Sequence, residues 1–315
     1  MKKQLFLGFG ISCLSTPLFA TDYTFVDLNA PWHFGAEFSM KEKGHPWHFE
    51  GDYYTLGDAK VTTSGKAKDS KITNSTAYGA LYYSHFLNDD NALSWQLGYS
   101  YLRFKWDKNP RFSQDQFHYG LASLAWVSNS MENWRWVVST GVTADLEWLD
   151  KFNKTAVYYG FVWGRYAYAL TVGLHIGFFG YAGIGTGYML PVLGVDWQGG
   201  KWKFTAVLPL DLSVDYYFTP RWFTSLGFTT FGGPYRYPRR FRGGVDKFHD
   251  GIFKYYSNGI DLSLTYDYET FIKFCVGGGW NFGGWVLIEN SHGNRAKYYK
   301  YNGTPYALAE IAGTF

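Results

Sequence analysis

Residues Trp134 to Trp148 alternate with a period of two, and that period constrains the fold more than any other feature of the chain. The even positions are Trp134, Trp136, Val138, Thr140, Val142, Ala144, Leu146 and Trp148. The positions between them include Arg135, Ser139, Gly141, Thr143, Asp145 and Glu147. Side chains on a strand point alternately to opposite faces, so one face here is apolar and tipped with Trp while the other is polar and charged. A helix would scatter the apolar residues around its axis. At about 3.3 Å per residue, such a strand is long enough to cross a hydrocarbon core even when tilted.

The pattern recurs. Leu210, Leu212, Val214, Tyr216 and Phe218 alternate with Asp211, Ser213, Asp215 and Tyr217. Ile260, Leu262, Leu264, Tyr266 and Tyr268 alternate with Asp261, Ser263, Thr265 and Asp267. Leu93 to Tyr101 alternates in the same way, and the shift to Leu102, Phe104 and Trp106 predicts a bulge. Short polar turns are predicted at Asn88–Asn91, Ser128–Asn133, Gln198–Lys201 and Thr219–Arg221. Longer loops are predicted at Ser64–Ser70, Asp107–Ser113, Leu149–Lys154 and Phe231–Asp250. Short turns alternating with longer loops are the pattern of an outer-membrane barrel. The expected fold is all-β, a transmembrane antiparallel β-barrel of about 12 strands, within a range of 10–14.

A soluble β-sandwich also alternates, so the membrane reading needs further support. Aromatic residues make up 22% of the chain and charged residues 17%, and Trp and Tyr flank the apolar runs as interfacial girdles require. The apparent strands exceed the usual length of about 5–6 residues. The chain also ends in a strand-like segment, Tyr306 to Phe315, with a terminal aromatic. Tyr166 to Val195 carries no Asp, Glu, Lys or Arg and contains the spacing Gly173-x-x-x-Gly177, which also suits a transmembrane helix. Seven glycines and Pro191 in those 30 residues favour two short strands, with glycines facing the lumen or easing curvature.

The N-terminus divides into two parts ahead of the barrel. Residues 1–20 read as a secretory signal peptide: Lys2 and Lys3, an apolar run from Leu5 to Cys13, and Leu18-Phe19-Ala20 at the cleavage point. Gly10-Ile11-Ser12 before Cys13 lacks the leucine expected of a lipoprotein. Residues 21–50 form an aromatic-rich segment with the repeat Pro31-Trp32-His33-Phe34 and Pro46-Trp47-His48-Phe49. His33, His45 and His48 fall within 16 residues, but no Cys joins them and the spacing is not a known ligand pattern, so no metal site is expected. The barrel is assigned to residues 51–315. After loss of the signal, 27 basic residues balance 26 acidic ones, which leaves no field favouring nucleic acid. Only Cys275 then remains, so no intrachain disulfide is possible.

Leu190-Pro191-Val192-Leu193-Gly194-Val195-Asp196-Trp197, followed by Trp202, Leu208-Pro209 and Tyr216, resembles a bacterial family of uncharacterised outer-membrane β-barrels. The likeness extends more loosely from about Asp52 to Phe315. It implies a barrel exported to the outer membrane and carries over no catalytic or binding residue. The strand ending in Phe315 resembles the signal read by the outer-membrane assembly machinery, although Gly313 stands where a Tyr is common.

Two sets of residues are candidates for function. Arg135, Asp145, Glu147, Lys203, Asp211, Asp215, Asp261, Asp267 and Lys273 are expected to face the lumen, because a charge on the lipid face near the midplane costs about 2–4 kcal/mol. They would form a selective lumen or, since both signs are present and pairing is natural, a ladder of paired charges that fills a closed barrel. Arg236, Arg239, Arg240, Arg242 and Lys247 are expected on a long external loop, where arginines suit the phosphates of lipopolysaccharide. Membrane lipid is the other expected partner. An enzyme is the third reading after a pore and a structural or adhesive barrel. His85, His118 and His175 lie in strands, but Ser84 and His85 point to opposite faces, and neither Gly-x-Ser-x-Gly nor His-Glu-x-x-His occurs. No cofactor is expected. The expected function is therefore a narrow pore or transport-related barrel for small solutes.

Overall fold

In the computed structural model, residues 46–65, 67–108, 115–184, 186–209, 211–237, 251–268, 272–289 and 297–315 are described. The signal peptide, the first Pro-Trp-His-Phe and His45 lie outside them. The strands are β1 (Trp47–Lys60), β2 (Lys71–Phe86), β3 (Asn91–Trp106), β4 (Gln116–Ser128) and β5 (Trp134–Asp145). Next come β6 (Val157–Ala169), β7 (Val172–Gly183), β8 (Thr186–Gly199), β9 (Trp202–Leu208) and β10 (Asp211–Tyr217). The series ends with β11 (Trp222–Tyr237), β12 (Gly251–Tyr268), β13 (Ile272–Glu289), β14 (Lys297–Tyr301) and β15 (Thr304–Thr314).

Each strand from β1 to β13 pairs antiparallel with the next, and β15 pairs with both β13 and β1. Fourteen strands thereby close a barrel, and the ring leaves no sheet edge for its backbone groups to go unpaired. The fifteenth, β14, stands outside that count. It pairs with the outer end of β13 in the register that β15 continues, from Gly284↔Tyr301 to Asn281↔Thr304. Closure is fixed at Trp47, whose N–H and C=O both bond to Phe315, with their rings stacked 6.4 Å apart. The second Pro-Trp-His-Phe therefore enters the first strand rather than preceding the barrel.

The expected count of about 12 strands is too low. Two long-loop-end connections, 184–185 and 209–210, are only two residues long and carry no polar cluster, so adjacent strands merge in a sequence reading. The charge-free stretch after Tyr166 is the end of β6, all of β7 and most of β8, with Gly173 and Gly177 turned inward. The expected bulge after Tyr101 does not exist: β2 and β3 keep one register from Ile72↔Trp106 to Phe86↔Ala92.

At one end, polar side chains close the turns locally. Asn88 Oδ1 accepts from the Asp90 N–H at 2.9 Å, and Thr219 Oγ1 accepts from Trp222 N–H at 3.1 Å. Both ends of the barrel wall lie here, with Trp47, Trp126, Trp197, Trp202, Trp222 and Tyr268 outward. A second outward group, Tyr53, Tyr99, Tyr158 and Trp280, stands toward the other end. Between them runs an apolar belt that includes Leu97, 68% exposed, with Val162, Ile176, Leu193, Leu226, Leu262 and Val276. An apolar wall bounded by aromatic girdles is the surface of a bilayer-spanning barrel, and the chain is an outer-membrane protein.

Candidate functional site

The interior has two halves of different chemistry. Toward the short-turn end, the inward faces of β1 to β4 carry a polar network. Tyr82 Oη donates to Glu50 Oε1. Gln96 Nε2 donates to Tyr78 Oη at 2.6 Å and Tyr82 Oη at 2.9 Å, and Ser123 Oγ donates to Gln96 Oε1 at 2.7 Å. The residues fall on one face because each occupies an alternate position of its strand.

Across the lumen, β6 to β8 carry a second network. The guanidinium of Arg165 grips Asp196 with two bonds of 2.7 Å, the bidentate geometry that Arg and a carboxylate share. His175 Nε2 lies 2.5 Å from the same carboxylate, and Trp163 Nε1–H donates to His175 Nδ1 at 3.1 Å. The indole only donates, so Nδ1 must accept and the imidazole proton sits on Nε2, facing Asp196. A side chain at Gly173 would push the pair apart, since a Cβ there would lie 2.3 Å from Asp196 Oδ1 and 2.5 Å from Arg165 Nε. Arg135 stands directly opposite Arg165 in register.

The long-loop half is aromatic, and its contents come from an unexpected source. β11, β12 and β13 run past the barrel rim, and their ends, together with β14, turn inward as a four-stranded flap. Both faces of the flap are buried from Phe231 to Arg236 and from Gly251 to Ser257. The turn is made at one level across the sheet. Gly232 adopts φ +116° and Gly283 φ +93°, and the β12–β13 register slips between Ser257 and Gly259. A Cβ at Gly232 would lie 1.9 Å from the Tyr255 carbonyl oxygen, so only glycine fits the bend. Buried Asn281 pins it, donating to Ser257 Oγ and accepting from Gly283 N–H at 2.7 Å.

One flap face carries Tyr235, Phe253, Tyr255, Val286 and Ile288, packed across the lumen on the opposite wall. Phe253 meets Phe104 at 4.7 Å and Phe117 at 5.7 Å between ring centroids, and Tyr235 meets Phe117 at 5.1 Å. Ile252 and Tyr256, on the other face, join Val157, Tyr159, Tyr181 and Ile184 of β6, β7 and the turn after it. Lys254 and Glu289 pair at 2.9 Å on that second face, nearly enclosed.

The expected lumen charges divide accordingly. Arg135, Lys203, Asp215, Asp261, Asp267 and Lys273 occupy inward positions of their strands. Lys203 and Asp215 approach to 3.7 Å, and Asp261 accepts from Thr229 and from Tyr306 at 2.7 Å. Asp211 is exposed at the mouth of the β9–β10 turn. Asp145 keeps the inward side of β5, fully buried opposite Tyr119, whereas Glu147 does not line the lumen. The strand ends at Asp145, whose Oδ1 accepts from Glu147 N–H to cap a 3-10 helix, Leu146–Lys151, followed by the single turn α1, Phe152–Thr155. Glu147 is exposed and pairs with the outward-facing His118 at 3.6 Å. The alternation ran on to Trp148 only because the helix also begins with an apolar residue.

Arg236 is likewise not on an external loop. It is 9% exposed in the flap, its N–H donating to Tyr119 Oη and its Nε to the Lys154 carbonyl. Phe231–Tyr237, where the long loop was predicted to start, belong to β11. Arg239, Arg240, Arg242 and Lys247 lie outside the described residues. Among the described residues no cluster of His, Cys, Asp or Glu is placed to hold a metal. Sequence reasoning passed over Glu50, Tyr82, Gln96 and Arg165, and noticed His175 and Asp196 without joining them. Alternation along one strand gave no sign of which of them would meet, and Glu50 fell in the segment assigned ahead of the barrel.

No family model and no curated protein matches the sequence. Among solved structures, the chain is similar to an outer-membrane channel from Pseudomonas putida F1, at 10% identity over 86% of this chain and 96% of that one, with a TM-score of 0.45. It is also similar to the Pseudomonas putida toluene transporter TodX, at 10% identity over 86% and 90% of the two chains and a TM-score of 0.40. A third is the KdgM porin in complex with disordered oligogalacturonate, at 10% identity, 84% and 99% coverage and a TM-score of 0.34.

Proposed function

We propose that the protein is a transport-related outer-membrane channel for small solutes, closed at its outer mouth by the inward-folded flap of β11 to β14. The observation that carries this reading is the flap itself. Its two faces pack on opposite inner walls, so it crosses the lumen rather than extending the wall outward. A permanent plug is best built from apolar residues, since removing two charges from water is expensive. This one buries the Lys254–Glu289 pair and bends at glycines, features that suit a part made to move. Below the flap, the polar inner wall gives a solute water and hydrogen-bonding groups.

The inward charges Arg135, Lys203, Asp215, Asp261, Asp267 and Lys273 would then set a weak selectivity, moderated by their pairing. Within the same proposal, the barrel belongs to the family resembled by the Leu190–Trp197 block. Arg239, Arg240, Arg242 and Lys247 would meet lipopolysaccharide phosphates, and the strand ending at Phe315 would serve assembly. Single-channel recording of the refolded protein tests the channel. Rare, salt-dependent openings that become frequent when Phe253→Ala weakens flap docking are expected. A heat-modifiable barrel that stays silent in both forms would instead identify a structural or adhesive protein.

A further inference from the structure

The wall beneath the flap contains a polar spot with no partner. Asn74 is 1% exposed, and neither its carboxamide oxygen nor its nitrogen has a hydrogen-bond partner among the described residues. Two residues along the same inward face of β2, the buried Thr76 hydroxyl is also unpartnered. Their surroundings are apolar. Leu56 and Phe104 flank Asn74 in register on β1 and β3, and Tyr54 and Leu102 flank Thr76. The rings reaching this wall belong to the flap and its hinge: Phe253 and Tyr255 lie 4.7 and 5.5 Å from Phe104, and Phe231 lies 5.0 Å from Tyr54.

A closed flap is therefore held by aromatic contacts and opposed by buried polar groups that no described residue pairs. Burying an amide or hydroxyl unpaired is unfavourable, and native interiors rarely leave both ends of a carboxamide so. Resting on the channel reading above, we propose that Asn74 and Thr76 form a solute contact site that the flap covers when closed. Its ligand is an uncharged molecule that joins an apolar ring to an amide or hydroxyl. The ring takes the place of the flap aromatics against Tyr54, Leu102 and Phe104, and the head group pairs with Asn74 and Thr76. Flap and solute compete for one face, so binding displaces the flap. A charged solute is disfavoured because no charged residue stands beside the pair in register. A sugar is disfavoured because two polar side chains leave most of its hydroxyls unmatched.

Benzamide is a suitable probe, since its carboxamide complements both ends of Asn74. The measurement is hydrogen exchange of the flap amides 251–257 in the full-length refolded barrel, with and without benzamide. In the wild type, benzamide should speed this exchange while leaving β6 to β8 unchanged. Asn74→Leu/Thr76→Val relieves the polar strain of the closed state, so its flap should exchange roughly 5- to 30-fold more slowly and ignore benzamide. Thr76→Val alone, nearly isosteric, should shift in the same direction if the double variant fails to fold. Equal exchange in wild type and variants, or an equal response of both to benzamide, would overturn the site. The readout does not depend on conductance, so a silent barrel with a benzamide-sensitive flap would reject the channel and keep the site. A conducting barrel with an insensitive flap would do the reverse.

Discussion

At the residue scale, side chains that alternation assigns to one class behave differently once their partners are known. Asp145 and Asp215 look alike in sequence, each an acid on the polar face of a strand. Asp215 faces Lys203 inside the barrel, whereas Asp145 ends its strand and caps a helical turn. Asp145→Asn should therefore leave single-channel conductance unaltered, because Asn caps as well as Asp, while Asp145→Ala should cost about 0.5–2 kcal/mol in urea unfolding. The Arg165–Asp196–His175–Trp163 chain makes a sharper case. Trp163→Phe keeps the ring and removes one donor, so it should cost about 0.5–1.5 kcal/mol in the same unfolding measurement. Asp196→Asn should cost more, since it withdraws the charge that Arg165 grips. A smaller effect for Asp196→Asn than for Trp163→Phe would show that the bidentate pair is not the anchor of this wall. That Asp196 faces inward was legible from its place in the Leu190–Trp197 block. That it meets a residue 31 positions earlier was not, because alternation fixes a face and says nothing about height across two neighbouring strands.

At the element scale, the flap shows why the sequence of β3 seemed irregular. Leu102, Phe104 and Trp106 are apolar where the alternation calls for polar residues, a pattern that by itself predicts a slipped register. Their strand keeps its register, and the three are inward because an aromatic flap rests near them. Their counterparts, Tyr235, Phe253, Tyr255 and Tyr299, lie more than a hundred residues away, beyond any local pattern. The hinge itself was partly legible as glycines near a strand end, but glycines are common in this chain and only φ distinguishes Gly232 and Gly283. Placing a Cβ at Gly232 should undock the flap without dissolving the barrel. Gly232→Val should become sensitive to protease within β11 and β12 while its heat-modifiable migration persists. Loss of migration and flap together would mean that the flap is part of the folding core instead.

At the scale of the whole molecule, the barrel is a balance between an outer face matched to lipid and an inner face matched partly to water and partly to its own flap. The outer face makes a direct prediction. Leu97→Arg, near mid-strand in the apolar belt, should destabilise the folded barrel in a bilayer by about 2–4 kcal/mol, read from its folding equilibrium in vesicles. The same change at the solvated turn residue Asp89 should have little effect. The sequence by itself determined the all-β class, the membrane-facing stripe and the outer-membrane address, because each follows from a local period of two, the girdle residues and strand length. It bounded the strand number without fixing it, since two-residue turns without polar residues leave no local signal. Only the tertiary structure decided closure at fourteen strands, the pairing of inward charges, and the folding of a strand end back across the lumen. Those outcomes depend on contacts between residues far apart in the chain, and the free energy of a cross-lumen aromatic contact is written in neither partner alone.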